Sequence, residues 1–150
     1  MRPINAATVA LIKSFESCVL DAYQDAAGKR TIGWGHLCRD GDGLYHITQD
    51  DADAIFESDL RMTASGVDGL VKVPVTENER GALISFAFNL GVGALGTSTL
   101  LRLLNAAQYY AVPQQLERWI YAGGKPLDGL IRRRQAEARL WSTPDSEAVA

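Results

Sequence analysis

The sequence has no stretch approaching the roughly 18 uninterrupted apolar residues of a membrane-spanning helix, and its N-terminus lacks the basic region and apolar core of a secretory signal. Stable membrane insertion is therefore not expected. Cysteine is scarce: Cys18 and Cys38 are the only two, too few for a disulfide scaffold. They flank a predicted hairpin and are read as two buried thiols, with a disulfide between them as the alternative. Histidine is equally scarce, and Cys18, His36, Cys38 and His46 lack the close paired spacing of a zinc site. The Asp40-Gly41-Asp42 spacing hints at calcium, but Tyr45 stands where an EF-hand needs its turn glycine and Asp51 where it needs a final glutamate. No metal is expected. Charge of one sign is also missing, with 15 Lys+Arg against 18 Asp+Glu and a net charge of -3. That balance, with no recognised binding motif, argues against nucleic acid as a partner. No internal repeat or low-complexity segment is found.

What is present is a composition of 47% hydrophobic and 22% charged residues over 150 positions, suited to one domain spanning 1–150 with a real core. The stretch from Phe15 to His36 concentrates the chemistry. Asn5 is a natural helix N-cap, and Val9, Ile12 and Glu16 follow at i, i+3 and i+7 on one stripe of a helix ending near Ser17. A carboxyl on an apolar stripe is partly desolvated, which favours its protonated form. Asp25 instead opens the polar turn Asp25-Ala26-Ala27-Gly28-Lys29-Arg30, where water and two cations keep it ionised. Two carboxyls in such contrasting surroundings are the equipment of glycoside hydrolysis. The bland alternative is a helix-end glutamate reaching solvent and an aspartate that only forms a turn.

Val19, Leu20 and Tyr23 predict one strand and Arg30 to Trp34 its return, a hairpin carrying both Asp25 and Thr31. Thr48 starts a long helix, with Asp51 completing a capping box and Ala52, Ile55, Phe56, Leu60 and Met62 or Thr63 at helical spacing, fading near Val71. A helix leading from a hairpin lobe into a helical lobe leaves a cleft between them. From Pro74 on, helices are predicted from Thr76 to Gly91, from Ser98 or Thr97 to Asn105, after Pro113 through Leu116 and Trp119, and past the Gly123-Gly124 break. On the last helix Leu127, Leu130, Ile131, Arg134, Ala138 and Trp141 share a stripe, so Arg134 points inward and needs a buried acid, for which Glu16 is the candidate; Arg133, or no arginine at all, is the alternative partner of Glu16. The run Arg132-Arg133-Arg134 with Arg118, Lys125 and Arg139 reads as a mixed, solvated surface because Asp128 and Glu137 lie among them, with a basic face for a polyanion as the alternative. Residues 143–150 read as a frayed tail.

Glu16, eight residues, Asp25, five residues and Thr31, followed by Ile32-Gly33-Trp34-Gly35-His36, resembles the catalytic signature of the phage-type lysozymes, glycoside hydrolase family 24. Ala82 to Gly91 is similar to that family's cleft helix, and Gly123 to Leu130 with Arg133, Arg134 and Glu137 to its C-terminal block. Trp34 departs from the pattern, standing where a smaller or tyrosine-like residue is expected. The resemblance implies an α+β, lysozyme-like fold: a small N-terminal lobe with a β-hairpin sheet, a long connecting helix, a helical C-terminal lobe and a cleft between the lobes. It implies a muramidase cleaving the β-1,4 bond between N-acetylmuramic acid and N-acetylglucosamine of bacterial peptidoglycan, with catalytic Glu16, Asp25 and Thr31 and no cofactor. Gly35, Leu37, Phe88, Asn89 and Trp119 are implied to contact sugar, with plain core or capping roles as the alternative for Phe88, Asn89 and Trp119, and His36 is implied to form a structural ion pair with Asp59. It further implies a monomeric endolysin that waits in the host cytoplasm and reaches the periplasm and cell wall after a holin permeabilises the membrane. A non-catalytic peptidoglycan-binding or virion structural protein is the alternative.

Overall fold

Local chemistry sets the helix ends. The Asn5 side chain accepts the Thr8 N–H at 3.0 Å and starts α1 (Ala6–Phe15). Thr48 and Asp51 form a full capping box at the head of α2 (Gln49–Leu70), and Thr76 and Glu79 form another at α3 (Glu77–Leu90). Gly91, at a φ of 100°, ends α3, but the chain re-enters helix at once in α4 (Val92–Gly96), where only a break was predicted. Ser98 caps α5 (Thr99–Asn105), Pro113 lies in the first turn of α6 (Val112–Leu116), and α7 (Asp128–Trp141) follows. This computed structural model describes residues 2–145.

Strands β1 (Val19–Gln24) and β2 (Arg30–Gly33) pair antiparallel, with Tyr23 opposite Thr31. The sequence predicts a two-stranded hairpin; a short third strand, β3 (His36–Leu37), is added with Leu37 opposite Thr31. It forms because Gly33 and Gly35 take φ of +64° and +81° and turn the chain back around Trp34. Beyond α6, Gly123 and Gly124 join a small hairpin of β4 (Tyr121–Ala122) and β5 (Lys125–Pro126).

Helix α3 is buried continuously over residues 80–87, as well as at Asn78, and is surrounded by α1, α2, α4 and α7. A helix buried on every side is the centre of its lobe. The buried stripe that the sequence predicts for it, Ala82, Leu83, Phe86 and Leu90, therefore understates its burial, and Leu90 itself is only partly buried. Helix α2 joins two apolar clusters: Ala52 packs with Ile32 and Ile47 under the sheet, whereas Phe56, Leu60, Ala64 and Val67 belong to the helical core. Met62, predicted on that stripe, is 65% exposed, since the buried face follows four-residue steps from Ala52. Trp34 packs against both clusters. Its indole N–H donates to Asp53 at 2.9 Å and the Lys13 ammonium lies over its ring, so the departure at this position fills the joint between sheet and helices.

The frayed tail predicted from residue 143 is corrected for Thr143 to Asp145. The Asp145 carboxylate accepts the Glu77 and Asn78 N–H groups at 3.0 and 2.9 Å, capping α3, and the Thr143 carbonyl accepts from the Asn78 side chain at 2.9 Å. Residues 146–150 lie outside the described residues.

Asp42 spends its carboxylate on its own loop, accepting the Leu44 and Arg39 N–H groups and the Arg30 guanidinium. The Leu44 N–H foremost, with Arg30 and Arg39 and against the opposing effect of burial, holds its pKa down at about 2. A depressed carboxyl stabilises the fold above its ordinary value of 3.8 and loses that contribution as pH falls towards 2. Asp42→Asn is thus expected to lower the melting temperature at neutral pH and to narrow its gap to wild type between those values. Melting curves that fall in parallel through that window would exclude this role.

Candidate active site

Glu16 is the C-cap of α1: its N–H still reaches the Ile12 carbonyl at 3.0 Å, but its backbone is extended at φ -100° and ψ 125°. Its inward placement comes from this turn off the helix, not from the i, i+7 stripe. The side chain is 19% exposed and held from two sides. On one, Arg133 Nη1 donates to Oε1 at 2.7 Å. On the other, Gly35 approaches so closely that a Cβ there would lie 2.8 Å from Oε2. Glycine is required at that position both for its positive φ and for this contact.

The predicted pairing of Glu16 with Arg134 is corrected: Arg133 makes it. Both arginines are buried, and Arg134 turns instead to Glu137, with Nε 2.8 Å from Oε1, and donates through Nη2 to Asn89 Oδ1 at 2.7 Å. Arg133 also touches Glu137, Nε to Oε2 being 3.4 Å, and donates to the Ser85 carbonyl at 3.2 Å. The Ser85 hydroxyl donates to Glu137 Oε2 at 2.5 Å. Burial pushes the Glu137 carboxyl up and the Arg134 guanidinium down, and in each case the charge of the partner opposes the shift. The reading of Arg132 to Arg134 as a solvated surface holds only for Arg132, because packing on α3 buries the other two. Sequence reasoning missed Ser85 and the central position of Glu137; the i, i+3 and i, i+4 spacing of Glu137 from Arg134 and Arg133 was the available signal.

On the sheet, Asp25 Oδ1 accepts the Ala27 and Lys29 N–H groups at 2.9 and 2.8 Å, which shapes the turn. Oδ2 receives no protein donor among the described residues. Thr31 is 3% exposed, and its hydroxyl donates to the Lys29 carbonyl at 3.0 Å. The same carbonyl accepts the Asp25 N–H at 2.8 Å, so one backbone group fixes both residues. With its proton committed, Thr31 Oγ1 is left as an acceptor.

Glu16 and Gly35 each line a depression. One, of about 480 Å³, is lined by Glu16, Asn89, Leu130, Arg132 and Arg133. The other, of about 450 Å³, is lined by Gly35, His36, Leu37, Asp59, Phe88 and Val92. Of the predicted sugar contacts, Gly35, Leu37 and Phe88 line the second depression and Asn89 the first. Trp119 is not brought there: it follows α6 and sets its ring edge-on against Phe86, 5.3 Å between centroids, partly buried against the helical core.

His36 Nδ1 lies 2.7 Å from Asp59 Oδ2, both side chains about one quarter exposed, tying β3 to α2. His36→Asn is expected to cost about 1 kcal/mol, lowering the melting temperature by a few degrees, while most activity at low temperature survives. Loss of activity at an unchanged melting temperature would instead place His36 in the chemistry. Cys18 and Cys38 are free thiols, half-buried beneath the sheet, and burial pushes the Cys38 thiol up. His46 bonds Asp21 at 2.5 Å, far from the role of a shared ligand with His36, and no cluster of three metal-ligating side chains occurs among the described residues.

The phage lysozyme family model matches residues 13–137 of this chain. An endolysin of Bacillus phage B103 is 38% identical over 149 residues, covering 98% of this chain and 57% of that protein. The chain therefore spans little more than half the length of that relative. An endolysin of Acyrthosiphon pisum secondary endosymbiont phage 1 is 40% identical over 137 residues, covering 89% of this chain and 93% of that one. Among solved structures, the muramidase domain of SpmX from Asticaccaulis excentricus superimposes with a TM-score of 0.83 at 38% identity, covering 96% of this chain and all of that domain.

Proposed function

Since this chain belongs to the phage lysozyme family, we propose that residues 1–150 form one lysozyme-like domain whose cleft hydrolyses the β-1,4 bond between N-acetylmuramic acid and N-acetylglucosamine in bacterial peptidoglycan. The observation that carries this reading is the placement of Glu16: a half-buried carboxyl lining one depression, gripped by Arg133 and abutted by Gly35, which lines the other. A general acid needs this combination of restricted solvent and fixed direction. Glu16 protonates the glycosidic oxygen as the bond to the sugar breaks. Asp25, with Oδ2 unspent, steadies the attacking water and the oxocarbenium-like charge, and Thr31 Oγ1 accepts a hydrogen bond from that water. Phe88 and Leu37 offer apolar surface to sugar rings on one side of the scissile bond, and Asn89, fixed by Arg134, a polar group on the other.

We further propose inversion of the anomeric centre, which the family membership supports. The biological role we propose is that of an endolysin that acts as a monomer, accumulates in the host cytoplasm and depends on a holin to reach the wall. No helix of the described residues is long and apolar enough to cross a membrane. The test is turbidity of purified peptidoglycan with mass spectrometry of the released ends, and NMR of the first-formed anomer. Reducing N-acetylmuramic acid ends in the α configuration are expected. Released stem peptides, or intact glycan strands, would overturn the reading.

A further inference from the structure

The cluster behind Glu16 contains more positive charge than one carboxylate needs. Arg133 and Arg134, both buried, lie side by side on α7, and only Arg133 touches Glu16. Arginine stays protonated throughout the working pH range. Glu137 is fully buried between the two guanidiniums, at 3.4 Å from Arg133 Nε and 2.8 Å from Arg134 Nε, and Ser85 Oγ donates to it. The proposed reaction uses none of these contacts directly.

We propose that Glu137 is a positioning residue that offsets the second arginine, so that Arg133 can orient Glu16 without the cluster withdrawing the proton that Glu16 must deliver. This rests on the general-acid reading of Glu16. The charge count carries it. With Glu137 ionised, Arg133, Arg134 and Glu137 together hold one net positive charge, which a carboxylate at Glu16 balances and a protonated Glu16 leaves modestly unbalanced. Without Glu137 two cations would face Glu16 in a poorly solvated site, and the proton would be held far less well. The charged groups facing the cluster are Arg133 and Arg134 from α7 and Glu16 from the end of α1. Helix α3 contributes the neutral Ser85 and Asn89; α6, which also packs on α7, buries only the apolar Val112 and Leu116, and Arg132 is an exposed lining residue of the depression. Glu137 also fixes geometry: it lies against both guanidiniums, with Nη2 of Arg134 donating to it at 3.3 Å as well as to Asn89, and leaves Nη1 of Arg133 for Glu16.

The test combines the pH-rate profile of peptidoglycan hydrolysis with NMR titration of the Glu16 carboxyl carbon, which needs no turnover. Glu137→Gln is expected to move the alkaline limb, and the Glu16 titration with it, about one pH unit or more towards acid. Glu137→Asp, which keeps the charge, should return both towards wild type. Arg134→Met combined with Glu137→Gln removes one charge of each sign and should also restore them, which makes the proposal readable even where the single Glu137→Gln protein does not fold. A folded Glu137→Gln protein with an unmoved profile and titration, or a double variant as acid-shifted as the single, would overturn the proposal. A wild type that releases no glycan ends would sink the hydrolase reading alone, since the titration still decides the role of Glu137.

Discussion

Glu16→Gln is expected to leave a folded protein that still sediments with insoluble peptidoglycan but releases reducing ends about 100- to 10,000-fold more slowly. The amide matches the carboxyl in shape, and its oxygen can still accept from Arg133 Nη1, which retains Glu137 and the Ser85 carbonyl as further partners. Packing against Gly35 is likewise preserved in outline, because the close contact is made by one terminal atom of the side chain. What the amide lacks is a proton it can pass to the leaving oxygen. The measurement is initial rate on purified peptidoglycan beside a binding assay and a thermal melt of the same preparation. Turnover near that of wild type would remove Glu16 from the chemistry, whereas loss of rate with loss of fold would show only that the ion pair with Arg133 is structural.

Gly81→Ala carries the largest expected effect on stability. In an ordinary helix interior this change stabilises, by about 1 kcal/mol. At Gly81 the added Cβ would lie 1.9 Å from Thr8 Oγ1 and 3.1 Å from Thr8 Cβ, because α1 crosses α3 at this point. Thr8 has nowhere to go: it is fully buried, and its hydroxyl bonds Asn5 Oδ1 at 2.7 Å while Asn5 in turn bonds Asn78 at 2.9 Å. Relief therefore requires α1 to lift from α3, at about 1–3 kcal/mol or more, which corresponds to a fall of several degrees in melting temperature for a chain of this size. Because α1 ends in Glu16, activity should fall more than stability predicts. Thr8→Ala in the same chain removes the hydroxyl and methyl and should recover part of the loss. A Gly81→Ala protein as stable as wild type would show that the helices do not meet this closely in solution.

Much of the candidate site was legible because its determinants are local or carried by a resemblance in fixed order. Asn5, Thr48, Thr76 and Ser98 cap helices through groups within three residues of themselves, so each could be read from spacing alone. Asp25 forms its turn through N–H groups two and four residues on. The pairing of His36 with Asp59 was implied by family likeness and is present in the geometry.

Other features depend on how elements pack, and these the chain did not reveal beforehand. Arg133 and Arg134 are neighbours about 100° apart on a helix, and the rotation of α7 against α3 decides which meets Glu16. Trp119 has the composition of a sugar platform, yet it packs, partly buried, against the core beside Phe86. Asp145 looked like tail until α3 offered it two free N–H groups. Sequence by itself determined the capped starts of helices, the hairpin turn and the order of the family's signature residues, since a cap or turn needs only partners a few residues away. Tertiary structure alone decided which arginine grips Glu16, that Glu137 lies fully buried between two cations, and that Gly81 and Gly35 must stay bare. Those outcomes turn on distances between atoms from elements that meet only when the core closes.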